Sequence, residues 1–104
     1  MQQEIEQYLS KLNKEKNYSH NTIISYRNDL NQLHRFLKNT FELIDYNQVQ
    51  FQHLRDWQMA LMKEGMHART VRRKLSCVRQ FSKYLNAAHT VKENPAALLK
   101  NPRM

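Results

Sequence analysis

The sequence predicts an all-α fold, a bundle of four to five helices, on three observations. The 104-residue chain holds one glycine, Gly65, and two prolines, Pro95 and Pro102. Proline is the residue that most strongly interrupts a helix, and none occurs before position 95. Apolar residues recur at spacings of three and four, the mark of helices with one buried face, and no strand-like alternation is present. Hydrophobic residues make up 40%, enough for one modest core and too many for a disordered chain. One domain spanning residues 1–104 is therefore expected.

The first helix is expected over roughly Gln2 to Lys14, with Ile5, Tyr8, Leu9 and Leu12 on its buried face. Glu4 and Glu6 near its start and Lys11 and Lys14 near its end suit the helix dipole. Asn17 to Ser19 reads as a turn, with Ser19 as N-cap of a second helix reaching about Asn39. Its inward positions are Ile23, Tyr26, Leu30, Leu33 and Leu37, with Tyr26 half-buried. Thr40 to Gln50 is a connection in which Asp45 and Asn47 are turn or cap residues. A third helix follows from about Phe51 to Glu64, with Leu54, Trp57, Leu61 and Met62 inward and Gly65 as its stop. The fourth runs from about Ala68 to Asn86. After a loop to Asn94, Pro95 to Leu99 is expected to form a short final helical turn capped by Asn94.

Charge gives the first functional signal. Lys and Arg number 17 against 9 Asp and Glu, a formal net charge of +8. So basic a small chain points to a polyanionic partner, of which nucleic acid is the commonest. The fourth helix concentrates the charge. Val71, Leu75, Val78, Ser82 and Leu85 share one direction. Arg69, Arg72, Arg73, Ser76, Gln80 and Lys83 share another, with Arg79 at its margin, and the two directions differ by roughly 150°. From Arg69 to Lys83 there is no Asp or Glu, so the i,i+4 ion pairs of an ordinary solvated helix are missing within this stretch. Such a face fits a DNA major groove, where Arg reads guanine edges and Arg or Lys neutralises phosphate. The start of the second helix adds Asn21, Thr22 and Ser25 as short polar groups beside free N–H groups, an arrangement suited to phosphate. Arg27 and Arg35 either join this surface or flank the core.

Enzymatic chemistry is not expected. The five histidines (His20, His34, His53, His67 and His89) form no metal-ligand spacing, so no metal and no cofactor is predicted. A single glycine leaves no phosphate-cradling loop. Cys77 is alone, so it forms no internal disulfide and reads as a small core residue. No apolar run reaches the ~20 residues of a membrane span, and the N-terminus lacks a signal-peptide pattern. A reducing cytoplasm is the expected compartment, with no membrane partner and no small-molecule substrate.

Several segments together resemble one family. Thr22-Ile23-Ile24-Ser25-Tyr26-Arg27-Asn28-Asp29-Leu30 is similar to the T-x-x-x-Y-x-x-D-L helix of the core-binding domain of tyrosine recombinases, the phage integrase family. Gly65-Met66-His67-Ala68-Arg69-Thr70-Val71-Arg72-Arg73-Lys74-Leu75-Ser76 resembles its G-x-S-x-x-T-x-x-R-K-L-S segment. Val78 to Leu85 resembles the L-R-x-F-x-x-Y-L that follows, and Asn94-Pro95-Ala96-Ala97 with Pro102-Arg103 resembles the exit toward a catalytic domain. Two departures stand out. His67 occupies a common Ser cap, which implies a looser or phosphate-facing helix start, and Ser82 occupies a position often aromatic, which implies a lighter core.

The resemblance implies a four- to five-helix orthogonal bundle of the SAM-like type, clamping one face of a recombination site through its second and fourth helices. Carried over position by position, the implied DNA contacts are Arg69, Thr70, Arg72, Arg73, Ser76 and Arg79 on the fourth helix, to which its basic face adds Lys83, and Asn21, Thr22 and Ser25 on the second. The family's catalytic residues, including an H-x-x-R signature and a nucleophilic Tyr, belong to a C-terminal domain expected beyond residue 104. No His here is followed three places later by Arg. Tyr8, Tyr18, Tyr26, Tyr46 and Tyr84 are accordingly not read as nucleophiles. The implied partners are double-stranded DNA and, in the longer protein, other protomers of a recombinase tetramer, while the isolated domain is expected to be a monomer.

Two other classes remain open on the residues alone. A free-standing helix-turn-helix regulator would also place a basic helix after Gly65. A protein-interaction bundle would bind no nucleic acid and would respond little to salt.

Overall fold

The computed structural model describes residues 1–102. It is all-helical, with α1 (Gln2–Glu15), α2 (His20–Phe41), one 3-10 turn (Tyr46–Gln48), α3 (Phe51–Lys63) and α4 (Ala68–Ala87), and no strand among the described residues. Arg103, part of the expected exit motif, lies outside the described residues. α2 and α4 each pack against all the other helices, whereas α1 and α3 do not pack on each other. The radius of gyration is 13.1 Å, that of a compact body of about 100 residues.

Each helix buries the stripe its spacing predicts. Ile5, Tyr8, Leu9 and Leu12 of α1 meet Ile23, Leu30, Leu33 and Leu37 of α2 in one core with Leu54, Trp57 and Leu61 of α3. α4 contributes Val71, Leu75, Cys77, Val78, Phe81 and Leu85. Burial pushes the Cys77 thiol far above its ordinary range, so it stays a protonated, inert core group. One expected inward residue is not inward. Met62 is 38% exposed, and Gln58, one turn earlier, is buried in its place. Gln58 donates its amide to the Lys100 carbonyl at 3.3 Å, so the returning C-terminal segment determines which side of α3 is covered.

Every helix ends with a residue of positive φ close behind it. Gly65, at φ 83°, ends α3 as glycine does at low cost. Asn17, Glu42 and His89 take φ of 53°, 58° and 59° behind α1, α2 and α4. In each case an amide then turns back to the helix: Tyr18 to Leu12, Leu43 to Leu37, Met66 to Leu61 and Thr90 to Leu85. At the N-termini, Ser19 Oγ accepts from the Thr22 amide at 3.1 Å. His67 Nδ1 accepts from the Arg69 amide at 3.3 Å, so His67 does cap α4.

The C-terminal segment is a pair of hydrogen-bonded turns and not a fifth α-helix. Asn94 caps it as expected, its Oδ1 accepting from Ala96 at 3.0 Å. Ala97 then bonds the Asn94 carbonyl and Leu99 the Ala96 carbonyl, which puts Ala96 and Leu99 into the core. The connection between α2 and α3 is also more ordered than a plain loop. Asp45 Oδ1 accepts from the Asn47 amide at 3.0 Å and starts the 3-10 turn. That turn delivers the Tyr46 ring against Phe81, 5.5 Å between centroids. The Tyr46 hydroxyl is hydrogen-bonded to Ser82 Oγ, and both residues are buried. The small Ser82 therefore leaves no light spot in the core, because an aromatic ring from another segment fills the space and satisfies the hydroxyl.

One buried charge cluster fixes α2 against α4. Asp29 is 1% exposed and is the only acidic residue in α2. Its Oδ1 accepts from Lys74 Nζ at 2.8 Å and from Arg73 Nη2 at 3.0 Å. The Lys74 side chain is 10% exposed and that of Arg73 50%. A carboxylate this deep is tolerable only with opposite charge beside it, and a buried ammonium has the same need.

Two consequences are measurable by urea unfolding. Asp29→Asn keeps the shape but leaves Lys74 a buried cation without counter-charge, and a loss of about 3 kcal/mol is expected. Adding Lys74→Met, which removes that cation, recovers more than half of the loss. Tyr46→Phe and Ser82→Ala each strand one buried hydroxyl and are expected to cost about 1–3 kcal/mol. Their double variant costs clearly less than the sum, because no stranded partner remains.

Candidate nucleic-acid interface

The Asp29 cluster also orients the basic helix. Asp29 meets Arg73 and Lys74, while Cys77 Sγ lies 4.0 Å from the Tyr26 carbonyl. As α2 advances, its partners on α4 recede, so the two helices run antiparallel along this contact. The N-terminal part of α2 consequently lies beside the C-terminal half of α4.

The outward side of α4 carries Arg69, Arg72, Arg73 and Lys83 as exposed cations, with Thr70 and Ser76 half-buried between them. No acidic residue lies on α4, and the buried Asp29 of α2 pairs with its Arg73 and Lys74. Arg73 spends part of its guanidinium on Asp29 and keeps half its surface open. The sequence-expected set is therefore not equally available. Arg79 is turned into the C-terminal segment, donating to the Leu99 carbonyl at 3.3 Å and to Asn101 Oδ1 at 2.8 Å. Thr22 Oγ1 is engaged with Ser19 Oγ at 2.8 Å, so its hydroxyl serves the cap. Asn21 is exposed and Ser25 half-buried.

The set also divides along the helix. From Arg69 to Lys83 is about 21 Å at 1.5 Å per residue. Arg69, Thr70, Arg72, Arg73 and Ser76 occupy one end and the middle. Lys83, with Asn21, Thr22 and Ser25 across the helix pair, occupies the other. Arg27 does not join this surface, because its guanidinium pairs with both oxygens of Glu6 on α1 at 2.9 and 3.1 Å. That contact holds the Glu6 carboxyl below its ordinary range. Lys74, which sequence spacing left unassigned, is the buried partner that makes the face possible. The available signal was Asp29, a lone acid at core spacing from Tyr26 and Leu33.

Other reactive residue types are accounted for by packing. Burial pushes the phenols of Tyr8 and Tyr46 well above the ordinary tyrosine range, so both stay neutral. His53 Nδ1 accepts from the Gln50 amide at 3.0 Å, and its ring packs on Phe41 at 4.6 Å. Among the described residues no group of three or more His, Cys, Asp and Glu side chains is placed to hold a metal ion. No helix among them is long and apolar enough to cross a membrane.

Comparison with known proteins agrees with this architecture. The family model described as phage integrase, N-terminal SAM-like domain, matches residues 5–89. A tyrosine recombinase XerC of Natranaerobius thermophilus is 34% identical over 103 residues, covering 99% of this chain and 34% of that protein. The XerC of Listeria innocua is 38% identical over 88 residues, covering 85% and 29%. That of Pseudomonas syringae is 32% identical over 103 residues, covering 99% and 34%. The chain thus spans about a third of the length of these relatives. No solved structure matches. With nearly all of α1 and the whole of α2, α3 and α4 inside the matched region, the chain belongs to the phage integrase N-terminal SAM-like domain family.

Proposed function

We propose that this chain is the DNA-gripping part of a bacterial, cytoplasmic tyrosine recombinase, laying α4 and the start of α2 on one face of the recombination site. The observation that carries this reading is the exposed row of Arg69, Arg72 and Arg73 on a helix without a single carboxylate. Exposed cations concentrated on one helix face suit a polyanion, and a DNA backbone is such an anion. A helix fits the major groove, so the arginines can reach guanine edges while Thr70, Ser76 and Lys83 hold phosphates. The relatives are tyrosine recombinases about three times longer than this chain, which supports a parent of that activity. Strand transfer belongs to the rest of that parent, and this chain contributes binding and no catalytic residue. The neutral, packed state of Tyr8 and Tyr46 supports that division, since a nucleophilic tyrosine must be accessible. Protomer contacts of a recombinase tetramer likewise belong to the longer protein, and the isolated chain is a monomer.

Binding by this chain alone is weak. A module of this size covers roughly 600–1,000 Å² of DNA-contacting surface, and the parent gains affinity by linking it to a second module. Fluorescence anisotropy with a generic duplex of about 20 base pairs, read across salt, tests the reading. Each neutralised phosphate contributes about −0.9 to the log–log salt slope. The intact chain is expected to give a slope steeper than about −3, and Arg69→Gln and Arg72→Gln each to flatten it by about one. A slope near zero, or variants that bind like the parent chain, would show that the face is merely solvated.

A further inference from the structure

A second feature lies at the opposite end of α4 from Arg69. The end of α1, the turn after it and the end of α4 enclose a cleft of about 590 Å³. Three tyrosines, Tyr8, Tyr18 and Tyr84, and three lysines, Lys11, Lys16 and Lys83, line it, and no Asp or Glu does. The volume is more than a lone phosphate needs and falls in the ordinary range of small-molecule sites.

The rings are held from behind and open in front. Tyr8 and Tyr84 lie 5.0 Å apart, and Tyr8 rests on Phe81 at 5.4 Å. Tyr18 meets Tyr26 edge-on at 6.0 Å. Tyr18 and Tyr84 are both half-exposed, so each presents ring surface to the cleft. Lys11 Nζ sits 5.2 Å from the centre of the Tyr84 ring and 3.9 Å from Glu15. Both are exposed contacts of a flexible chain, easily given up. Lys16 and Lys83 have no ion-pair partner among the described residues. A solvated basic rim would account for the lysines but not for tyrosine walls between them. Aromatic rings beside unpaired cations are the combination that takes a planar base together with its phosphate.

We propose that this cleft receives one nucleotide unit, its base against Tyr18 and Tyr84 and its phosphate between Lys16 and Lys83. The ligand is either an unpaired nucleotide of a DNA strand or a free mononucleotide. This goes beyond the duplex reading, because a paired base is stacked in its helix and does not offer its face.

The test is NMR of the labelled chain at low salt with tetrathymidylate, thymidine monophosphate and inorganic phosphate in separate titrations. Tetrathymidylate is expected to move the ring signals of Tyr18 and Tyr84 upfield. Tyr84→Leu is expected to weaken its binding about tenfold and the exposed Lys16→Gln about threefold. Monophosphate binding within threefold of the oligonucleotide identifies a free nucleotide as the ligand, and oligonucleotide binding alone identifies a strand. No ring shift with tetrathymidylate, equal shifts with inorganic phosphate, or full affinity in both variants overturns the proposal. A parallel duplex titration read at the Arg69 to Arg73 amides reports on the duplex interface separately, so the failure of one reading is not mistaken for the failure of the other.

Discussion

The molecule is organised around one buried carboxylate. α4 holds six Lys and Arg residues (Arg69, Arg72, Arg73, Lys74, Arg79 and Lys83) and no Asp or Glu. Arg73 and Lys74 find counter-charge on α2, in Asp29. By drawing Lys74 inward and taking one edge of Arg73, Asp29 sets the rotation of α4 about its own axis. That rotation decides which cations face water. A single turn of error would bury an arginine without a partner, at a cost comparable to the whole stability of a small domain. The exposed basic face is thus a by-product of how one acid is satisfied in the core.

Much of this was legible in the sequence, because it depends on periodicity. The four helices follow from apolar residues at three- and four-residue spacing, and the stop at Gly65 and the caps at Ser19 and Asn94 follow from local hydrogen bonding. What was not legible depends on contacts between distant segments. Met62 and Gln58 exchange roles because residue 100 returns to α3. Ser82 looks like a gap until Tyr46, 36 residues earlier, fills it. Arg79 looks like a surface cation until the C-terminal segment offers Leu99 and Asn101. The endings at Asn17, Glu42 and His89 escaped notice for a different reason. Positive φ is expected first of glycine, and Glu42 is of a type that rarely adopts it.

The candidate site divides in the same manner. The basic row on α4 was visible as a wheel pattern, and the structure keeps Arg69, Arg72, Arg73 and Lys83 outward. The grading of that row was not visible. Arg73 is half committed to Asp29, Arg79 is committed to the C-terminal segment, and the Thr22 hydroxyl is committed to the Ser19 cap. Nor does spacing within single helices foretell a cleft. Tyr8, Tyr18 and Tyr84 lie on three separate segments, and only their packing brings them to one cavity with three lysines. The same α4 therefore borders two chemically different surfaces, an arginine row suited to a polyanion and an aromatic–lysine recess suited to a planar anion.

The central claim is that the Asp29-fixed face of α4, with the start of α2, is where duplex DNA lies. An amide-shift map of the 104-residue chain with a short generic duplex, at low and then moderate salt, tests it most directly. The account predicts shifts concentrated from Arg69 to Lys83 and from Asn21 to Ser25, fading together as salt rises. Shifts confined to the outer face of α3, or none with duplex in excess, would contradict it.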